Sequence, residues 1–132
     1  MKLDLAALVA EQFGSLPVRV CANLPYNITT PILTALVEAR CFETITVMIQ
    51  KEVAQRLAGK PGGDYGAFSV FLQYYTEPEV LFDVPPECFL PSPKVTSAVL
   101  RCRVRATRPV AHQCPETFFF RTVRAAFALR RK

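Results

Sequence analysis

The sequence predicts an α/β fold in which helices cover a sheet. Strand-like runs alternate with segments whose apolar residues recur at helical spacing. The run at residues 44–49, TITVMI, is β-branched and apolar on both faces, which indicates a strand buried inside a parallel sheet. The first strand-like run has no β–α units before it, so we expect the chain to be a piece of a larger domain.

Helices are predicted where capping residues meet apolar spacing. Asp4 can cap a first helix and Gly14 can end it. Thr30 followed by Pro31 marks the start of a second helix, and Pro115 opens the last one. The predicted helices cover residues 4–13, 30–37, 51–57, 68–75 and the segment from 115 onward.

Strands are predicted over residues 18–22, 44–49, 80–84 and 95–104. Four of the five glycines fall in residues 59–66, which predicts a flexible, exposed loop. Residues 84–94, VPPECFLPSPK, form a proline-rich connection between the last two predicted strands. A linker is expected before the last helix.

The charge of the chain is divided unevenly along its length, although its formal net charge is only +5. Residues 1–93 carry six Lys or Arg against ten Asp or Glu, a net charge of −4. Residues 94–132 carry ten Lys or Arg against one acid, a net charge of +9. This asymmetry indicates a polyanionic partner for the C-terminal third, with RNA, DNA or an anionic membrane as candidates. The alternative is a solvated basic face.

Composition excludes several classes of protein. With 132 residues, of which 51% are hydrophobic, the chain can bury a core that a disordered chain lacks. No apolar run approaches the length of a membrane-spanning helix, and Asp4 and Glu11 argue against a secretory signal. The scattered cysteines predict buried free thiols in the reducing cytoplasm. We expect no metal site, because Cys102, His112 and Cys114 lack a fourth ligand.

The first candidate site is the tetrapeptide Asn23-Leu24-Pro25-Tyr26, which directly follows a predicted strand, where open α/β sheets bind ligands. One reaction that such a turn could serve is methyl transfer to an exocyclic adenine amine. This amine is a poor nucleophile because its lone pair is delocalised into the ring. Asn23 and a main-chain carbonyl from Leu24 or Pro25 can accept hydrogen bonds from both N–H groups, which would direct the lone pair toward a methyl donor. Tyr26 can stack on an extruded base. The alternative is an Asn-capped structural turn with a buried tyrosine.

The second candidate site is the stretch 88–98, CFLPSPKVTSA, whose prolines hold Phe89 on a stiff turn before a predicted strand. If this turn faces Tyr26, the two rings can hold a base between them. The alternative is that Phe89 only fills the core. Along the following strand the arginines alternate, so Arg101, Arg103 and Arg105 share one face that suits a duplex backbone.

Three segments resemble the bacterial ribosomal RNA adenine dimethyltransferase family: NLPYNITTPIL, IQKEVAQRLAGKPGGDYGAFSVFLQYY and FDVPPECFLPSPKVTSAVLR. These enzymes transfer methyl groups from S-adenosylmethionine to the N6 amines of two adjacent adenines in small-subunit ribosomal RNA. The resemblance implies the C-terminal half of a Rossmann-like methyltransferase sheet, followed by the start of an α-helical domain. Residues 1–106 would belong to the catalytic domain, and residues 107–132 would form a linker and the first helix of the next domain.

The resemblance also implies roles for particular residues. Asn23 would contact the methyl region of S-adenosylmethionine and bind the target amine. Leu24 and Pro25 would offer carbonyl groups, and Tyr26 and Phe89 would hold the adenine. Phosphates of the ribosomal RNA, free or within a pre-ribosomal particle, would be contacted by the following basic residues: Lys94, Arg101, Arg103, Arg105 and Arg108.

The glycine-rich loop and acidic residues that hold the cofactor in this family have no counterpart here. We therefore expect most of the cofactor site to lie outside this chain, and the chain alone to be inactive. Two other functions stay open, namely a catalytically silent RNA-binding fragment and a resistance-type methyltransferase acting on large-subunit ribosomal RNA. We also expect an exposed apolar sheet edge or helix face, which would favour dimerisation or aggregation.

Overall fold

A four-stranded sheet forms the centre of the molecule, which we describe from a computed structural model for residues 3–63, 65–109 and 113–129. The order across the sheet is β1-β2-β4-β3. The strands are β1 at Arg19–Asn23, β2 at Thr44–Gln50, β3 at Thr76–Val84 and β4 at Ser97–Val104. The predicted α/β sheet is confirmed.

The prediction that residues 44–49 lie inside a parallel sheet is correct for one neighbouring strand and wrong for the other. β2 pairs in parallel with β1, but it pairs antiparallel with β4, which is also antiparallel to β3. Parallel neighbours are usually joined by a crossover helix, whereas the connection from β3 to β4 contains one 3-10 turn and no α-helix. The apolar pattern of β2 shows that both of its faces meet other residues, but it does not encode the direction of the neighbouring strand.

The five helices begin and end close to the predicted positions. Asp4 caps the first helix, since its side chain accepts a hydrogen bond from the Ala7 N–H at 3.0 Å, and Gly14 ends that helix with a φ of 59°. The second helix begins at Thr29, one residue before the predicted start. The helices are α1 at Leu5–Phe13, α2 at Thr29–Glu38, α3 at Lys51–Ala58, α4 at Ala67–Tyr75 and α5 at Glu116–Ala128. None of those in the described ranges has the length and apolar character needed to span a bilayer.

The core lies between one face of the sheet and the helices α2, α3 and α4. Its largest completely buried side chains come from both layers: Leu33, Ile45, Ile49, Leu72 and Leu100. Side chains alternate along β4, so Arg101 and Arg103 project from the opposite face of the sheet. That opposite face has no covering helix among the described residues.

Helix α5 packs against α4 through aromatic rings. The ring centroids of Tyr74 and Phe119 are 4.9 Å apart and nearly parallel. The Tyr75 hydroxyl donates a hydrogen bond to the Glu116 carboxylate, which also pairs with Arg40 at 3.2 Å. These contacts fix the start of α5 to the ends of α2 and α4.

Candidate active site

The candidate catalytic turn begins where β1 ends. Asn23 is the last residue of β1, and its side chain is exposed. Leu24 is buried, and its backbone N–H donates to the Met48 carbonyl of β2 at 3.1 Å. The turn is therefore attached to the carboxyl end of the two parallel strands, the position at which α/β sheets bind ligands.

A network of hydrogen bonds holds the Pro25 carbonyl. This carbonyl accepts from the Ile28 backbone N–H at 3.3 Å and from the Thr29 hydroxyl at 3.2 Å. The Thr29 hydroxyl also lies 3.4 Å from the Tyr26 carbonyl. In contrast, none of the described residues donates a hydrogen bond to the Leu24 carbonyl. Of the two carbonyl groups that the sequence singled out, that of Leu24 keeps its acceptor capacity for a ligand.

Tyr26 is anchored by its hydroxyl group. The residue opens a 3-10 turn at Tyr26–Ile28 and is 38% exposed. Its hydroxyl lies 2.6 Å from the hydroxyl of Ser97, the completely buried first residue of β4. The ring is thus fixed at both ends, by the backbone of the turn and by the sheet.

Phe89 lies on the connection between β3 and β4. A 3-10 turn at Pro86–Cys88 precedes it, and the Phe89 N–H donates to the Pro86 carbonyl at 3.1 Å. The Ser92 hydroxyl donates to the same carbonyl at 2.9 Å. Phe89 is half-buried, whereas its neighbour Leu90 is completely exposed. Local hydrogen bonds therefore hold this segment, in addition to the stiffness of its prolines.

The two segments meet around one cavity of about 340 Å³. Its lining comes from both predicted sites: Asn23, Leu24, Pro25, Tyr26, Phe89, Pro91 and Pro93. The volume is near the lower end of the range usual for small-molecule sites. The cavity combines two hydrogen-bond acceptors and two aromatic rings, and no charged side chain lines it. Such a lining suits a flat, neutral group with exposed N–H donors.

The predicted RNA-contacting residues divide into two groups. Lys94 is exposed and directly follows Pro93 of the cavity lining. The arginines lie farther away, because Ser97 is level with Gln50 at the cavity end of the sheet and Arg103 is level with Thr44 at the other end. Six residues of strand separate these two levels, or about 20 Å at about 3.3 Å per residue.

Two of the arginines are paired with glutamates of β3. Arg101 contacts Glu79 at 2.8 Å, and Arg105 contacts Glu77 at 3.2 Å. Arg103 is exposed. The Arg108 guanidinium lies 5.6 Å from the centroid of the Tyr75 ring. Arg101 and Arg103 share a face as predicted, but Arg105 lies beyond the end of β4, and its Nε donates to the Gln73 carbonyl at 3.0 Å and to the Thr76 carbonyl at 3.1 Å. The neighbouring acids neutralise much of the charge of the shared face.

Sequence reasoning did not single out Ser97 or Thr29, whose hydroxyl groups fix the candidate catalytic turn. No local pattern distinguishes them, because each partner lies on another element or across a tight turn. The pairing of arginines with acids was also missed. It follows from the register of β3 against β4, which places Glu79 opposite Arg101.

The prediction of buried thiols is wrong for two of the five free cysteines. Cys21 is exposed on the sheet face without a covering helix, and Cys88 is exposed in the 3-10 turn. Cys102 is buried, and this burial raises the pKa of its thiol to about 12. The described residues contain no cluster of three or more potential metal ligands, and His112 lies outside them.

Comparison with known proteins agrees with the resemblance noted in the sequence. The family model described as ribosomal RNA adenine dimethylase matches residues 1–132. This chain belongs to that family. A ribosomal RNA small subunit methyltransferase A from Lachnoclostridium phytofermentans is 47% identical over 134 residues, which cover all of this chain and 46% of that relative. The protein of the same name from Geobacillus thermodenitrificans is 50% identical over 135 residues and is also 46% covered. The chain therefore spans about half the length of these curated relatives of the ribosomal RNA adenine dimethylase family.

Solved structures of methyltransferases have the same Rossmann-like fold. A dimethyladenosine transferase from Plasmodium falciparum matches with a TM-score of 0.74 at 24% identity, covering 89% of this chain and 43% of that protein. The 23S rRNA methyltransferase ErmE matches with a TM-score of 0.63 at 33% identity, covering 71% of this chain and 38% of that protein. The predicted fold class is therefore confirmed for this member of the family.

Proposed function

We propose that this chain supplies the catalytic turn and the base-holding part of an enzyme that dimethylates N6 of two adjacent adenines in small-subunit ribosomal RNA. The methyl donor would be S-adenosylmethionine. The observation that carries the proposal is the single cavity that joins the catalytic turn to Phe89. Relatives that match the whole chain at 47% and 50% identity are named ribosomal RNA small subunit methyltransferase A, which supports this choice of substrate.

The two acceptors in the cavity would activate the adenine amine. The Asn23 side-chain oxygen and the Leu24 carbonyl would each accept one N–H of the amine, which localises the nitrogen lone pair for attack on a methyl group. Because Pro25 lacks an N–H and its carbonyl is already occupied, its role would be to stiffen the turn. No strong general base is required, because the methylated nitrogen is acidic enough to lose its proton to water.

Tyr26 and Phe89 would hold the extruded base by stacking. Both rings line the cavity, and each is held in place by hydrogen bonds of its own segment. Stacking of a nucleic-acid base on an aromatic side chain contributes about 1–3 kcal/mol. Stacking would offset part of the cost of extruding the adenine.

The cofactor would meet this chain mainly at Asn23. S-adenosylmethionine supplies an electrophilic methyl group, and the exposed Asn23 at the end of β1 can face it. No carboxylate that could hold ribose hydroxyl groups lines the cavity. We therefore propose that most of the cofactor site lies outside these residues, and that the chain alone is inactive.

The RNA backbone would be bound by one basic residue beside the cavity and by others toward the opposite end of the sheet. Lys94 lies nearest to the cavity, and the other proposed contacts are Arg101, Arg103, Arg105 and Arg108.

We further propose that residues 1–106 belong to the catalytic domain and that residues 107–132 begin a helical one. The expected location is the cytoplasm. The exposed edge of β1 is the proposed site of any self-association.

A second candidate function is methylation of large-subunit ribosomal RNA, which the structural likeness to the 23S rRNA methyltransferase ErmE favours. A third is RNA binding without catalysis, which the net charge of +9 in residues 94–132 favours. Calorimetry with S-adenosylmethionine on this chain would decide the third case, because tight cofactor binding would contradict a silent fragment.

The proposed function is tested in a chimera in which this chain replaces the matching segment of the Geobacillus thermodenitrificans relative. Methyl transfer is measured on separated small and large ribosomal subunits. We expect transfer to the small subunit, and a loss of about 100-fold or more in Asn23→Ala. Asn27→Ala is the matched control, since Asn27 is an exposed asparagine of the same turn and does not line the cavity. Equal rates in the two variants, or transfer only to the large subunit, would contradict the proposal.

A further inference from the structure

Ser97 is completely buried at the first position of β4. It is level with Gln50 of β2 on one side and with Val84 of β3 on the other. Its hydroxyl lies 2.6 Å from the Tyr26 hydroxyl, at the short end of the range for hydrogen bonds between hydroxyl groups. A serine on the central strand of three paired strands therefore bonds to the hydroxyl of Tyr26.

Tyr26 is 38% exposed, so burial alone does not hold its ring in place. A tyrosine at the rim of a cavity can leave its hydroxyl in water, and its ring is then free to turn about the two side-chain torsions. The bond to Ser97 removes that freedom. The ring keeps one orientation at the edge of the cavity.

The same serine begins the strand that follows the opposite wall of the cavity. Ser97 follows directly on the connection that carries Phe89. The carbonyl of the preceding Thr96 accepts a hydrogen bond from the Lys51 backbone N–H at 3.0 Å, which fixes the start of β4. The Ser97 hydroxyl thus links two parts of the site. One is Tyr26, on the first wall of the cavity, and the other is β4, the strand that follows the segment with Phe89.

We propose that Ser97 is a positioning residue for base binding, and that its hydroxyl sets the orientation of the Tyr26 ring relative to Phe89. This inference rests on the proposed function, because it assigns to the two rings the holding of an adenine. Ser97 itself would not touch the base. It acts through Tyr26, so its contribution disappears once the tyrosine hydroxyl is removed.

A general contribution to stability is the competing explanation, since any buried hydroxyl with a hydrogen bond stabilises the fold. Ser69 provides a matched control. It lies on α4 and is 1% exposed, and its hydroxyl donates to the Arg56 carbonyl of α3 at 3.0 Å, away from the cavity. Exchange of either serine for alanine removes one buried hydroxyl hydrogen bond, but only Ser97 contacts the cavity lining.

The test uses this chain and a small-subunit RNA hairpin in which 8-vinyladenine, a fluorescent base that keeps the N6 amine, replaces one target adenine, because the fluorescence of that base reports stacking. We expect Ser97→Ala to lower the population of stacked base about fivefold, the effect of one hydrogen bond. The RNA Kd should rise by no more than about fivefold, because stacking contributes to affinity beside the phosphate contacts. In a Tyr26→Phe background, Ser97→Ala should cause no further loss. Ser69→Ala should keep the full signal.

Three results would overturn the inference: an unchanged signal in Ser97→Ala, additive losses from Ser97→Ala and Tyr26→Phe, or an equal loss in Ser69→Ala. A hairpin that gives no stacking signal even with the unmodified chain would instead count against the proposed function. In that case NMR of the Tyr26 ring decides the role of Ser97 separately. Ser97→Ala must shift the resonances of the Tyr26 ring and widen the range of side-chain torsions that Tyr26 adopts. Unchanged resonances would overturn the inference.

Discussion

The two ends of the sheet are stabilised by different interactions. At the cavity end, neutral hydroxyl and carbonyl groups fix the candidate catalytic turn, as in the bonds from Thr29 to Pro25 and between Tyr26 and Ser97. At the other end, two half-buried arginines pair with exposed glutamates of β3. Strand β4 passes through both regions, since it begins at the cavity and ends among the arginines.

This difference has consequences for rigidity. A partly buried hydrogen bond between neutral groups resists salt, and it costs free energy to leave its partners unsatisfied. Exposed ion pairs contribute at most about 1 kcal/mol and weaken as salt is added. The cavity end is therefore built to hold its shape, whereas the arginine end can exchange its glutamate partners for other anions.

The largest expected effect comes from the interior that both ends share. Leu100 is completely buried in the middle of β4, and Leu100→Ala should lower the free energy of unfolding by about 2–5 kcal/mol through lost burial and a residual cavity. Leu90→Ala is the control, since Leu90 is completely exposed. Chemical denaturation measures both variants. A similar loss of stability in Leu100→Ala and Leu90→Ala would show that the interior of the sheet does not support both ends.

The next effect belongs to the cavity end alone. Phe89→Ala should reduce binding of an adenine-containing hairpin by about 1–3 kcal/mol, the contribution of one stacked base, while leaving the salt dependence of binding unchanged. Phe118→Ala serves as the control, because Phe118 is 54% exposed on α5 and does not line the cavity. Fluorescence titrations at several salt concentrations measure both quantities. Equal affinities for the two variants would place base binding elsewhere.

The cavity could be predicted from the sequence because each of its walls is local. A strand followed by Asn23 and Pro25 encodes a turn, and the prolines around Phe89 encode a second one. That the two turns meet depends on the strand order, in which β2 separates β1 from β4. The sequence pattern does not contain this order, and the antiparallel direction of β4 was missed for the same reason.

The arginine end was predicted less well, because charge was counted along the chain and not across strands. The count places Arg101 and Arg105 in a basic segment of the sequence, but the fold places Glu79 and Glu77 beside them. Ion pairs between strands depend on register, and here a bulge between Val80 and Phe82 shifts that register. A one-dimensional charge pattern therefore overestimates the positive charge of this face.

A smaller effect, specific to the arginine end, is the dependence of stability on alkaline pH. Burial raises the pKa of Cys102 to about 12 from 9.0, and a hydrogen bond with Thr76 opposes the rise. Between these values the unfolded chain loses the thiol proton and the folded chain keeps it. The free energy of unfolding should therefore fall by about 1.4 kcal/mol per pH unit from this group, and no loss is expected below the lower value.

Denaturation of the unmodified chain and of Cys102→Ala between pH 8 and pH 11 isolates this contribution. The lower pH is about one unit below the pKa of the unfolded thiol, and the higher pH is about one unit below that of the folded thiol. The variant should show the shallower slope above pH 9, the unfolded pKa of the thiol. Cys21→Ala is the control, because Cys21 is exposed and should leave the slope unchanged. Equal slopes in all three proteins would mean that the Cys102 thiol ionises in the folded state.

The smallest effect on stability, and the sharpest test of the arginine end, is Glu79→Gln. The substitution releases Arg101, whose Nε is buried without a hydrogen-bond partner among the described residues. Stability should fall by less than about 1 kcal/mol, as for an exposed pair. If Arg101 contacts RNA phosphate, affinity should rise and the slope of log Kd against log salt should steepen by about 1.

Glu11→Gln makes the same change in net charge on α1, far from β4 in the sequence, and thus separates a local contact from a general charge effect. Only Glu79→Gln should steepen the salt dependence, because a released counterion requires a new contact between one phosphate and one arginine. Identical slopes for the two variants would show that the arginine end attracts RNA only through its net charge. The glutamates of β3 would then serve to stabilise the sheet and not to regulate access to Arg101.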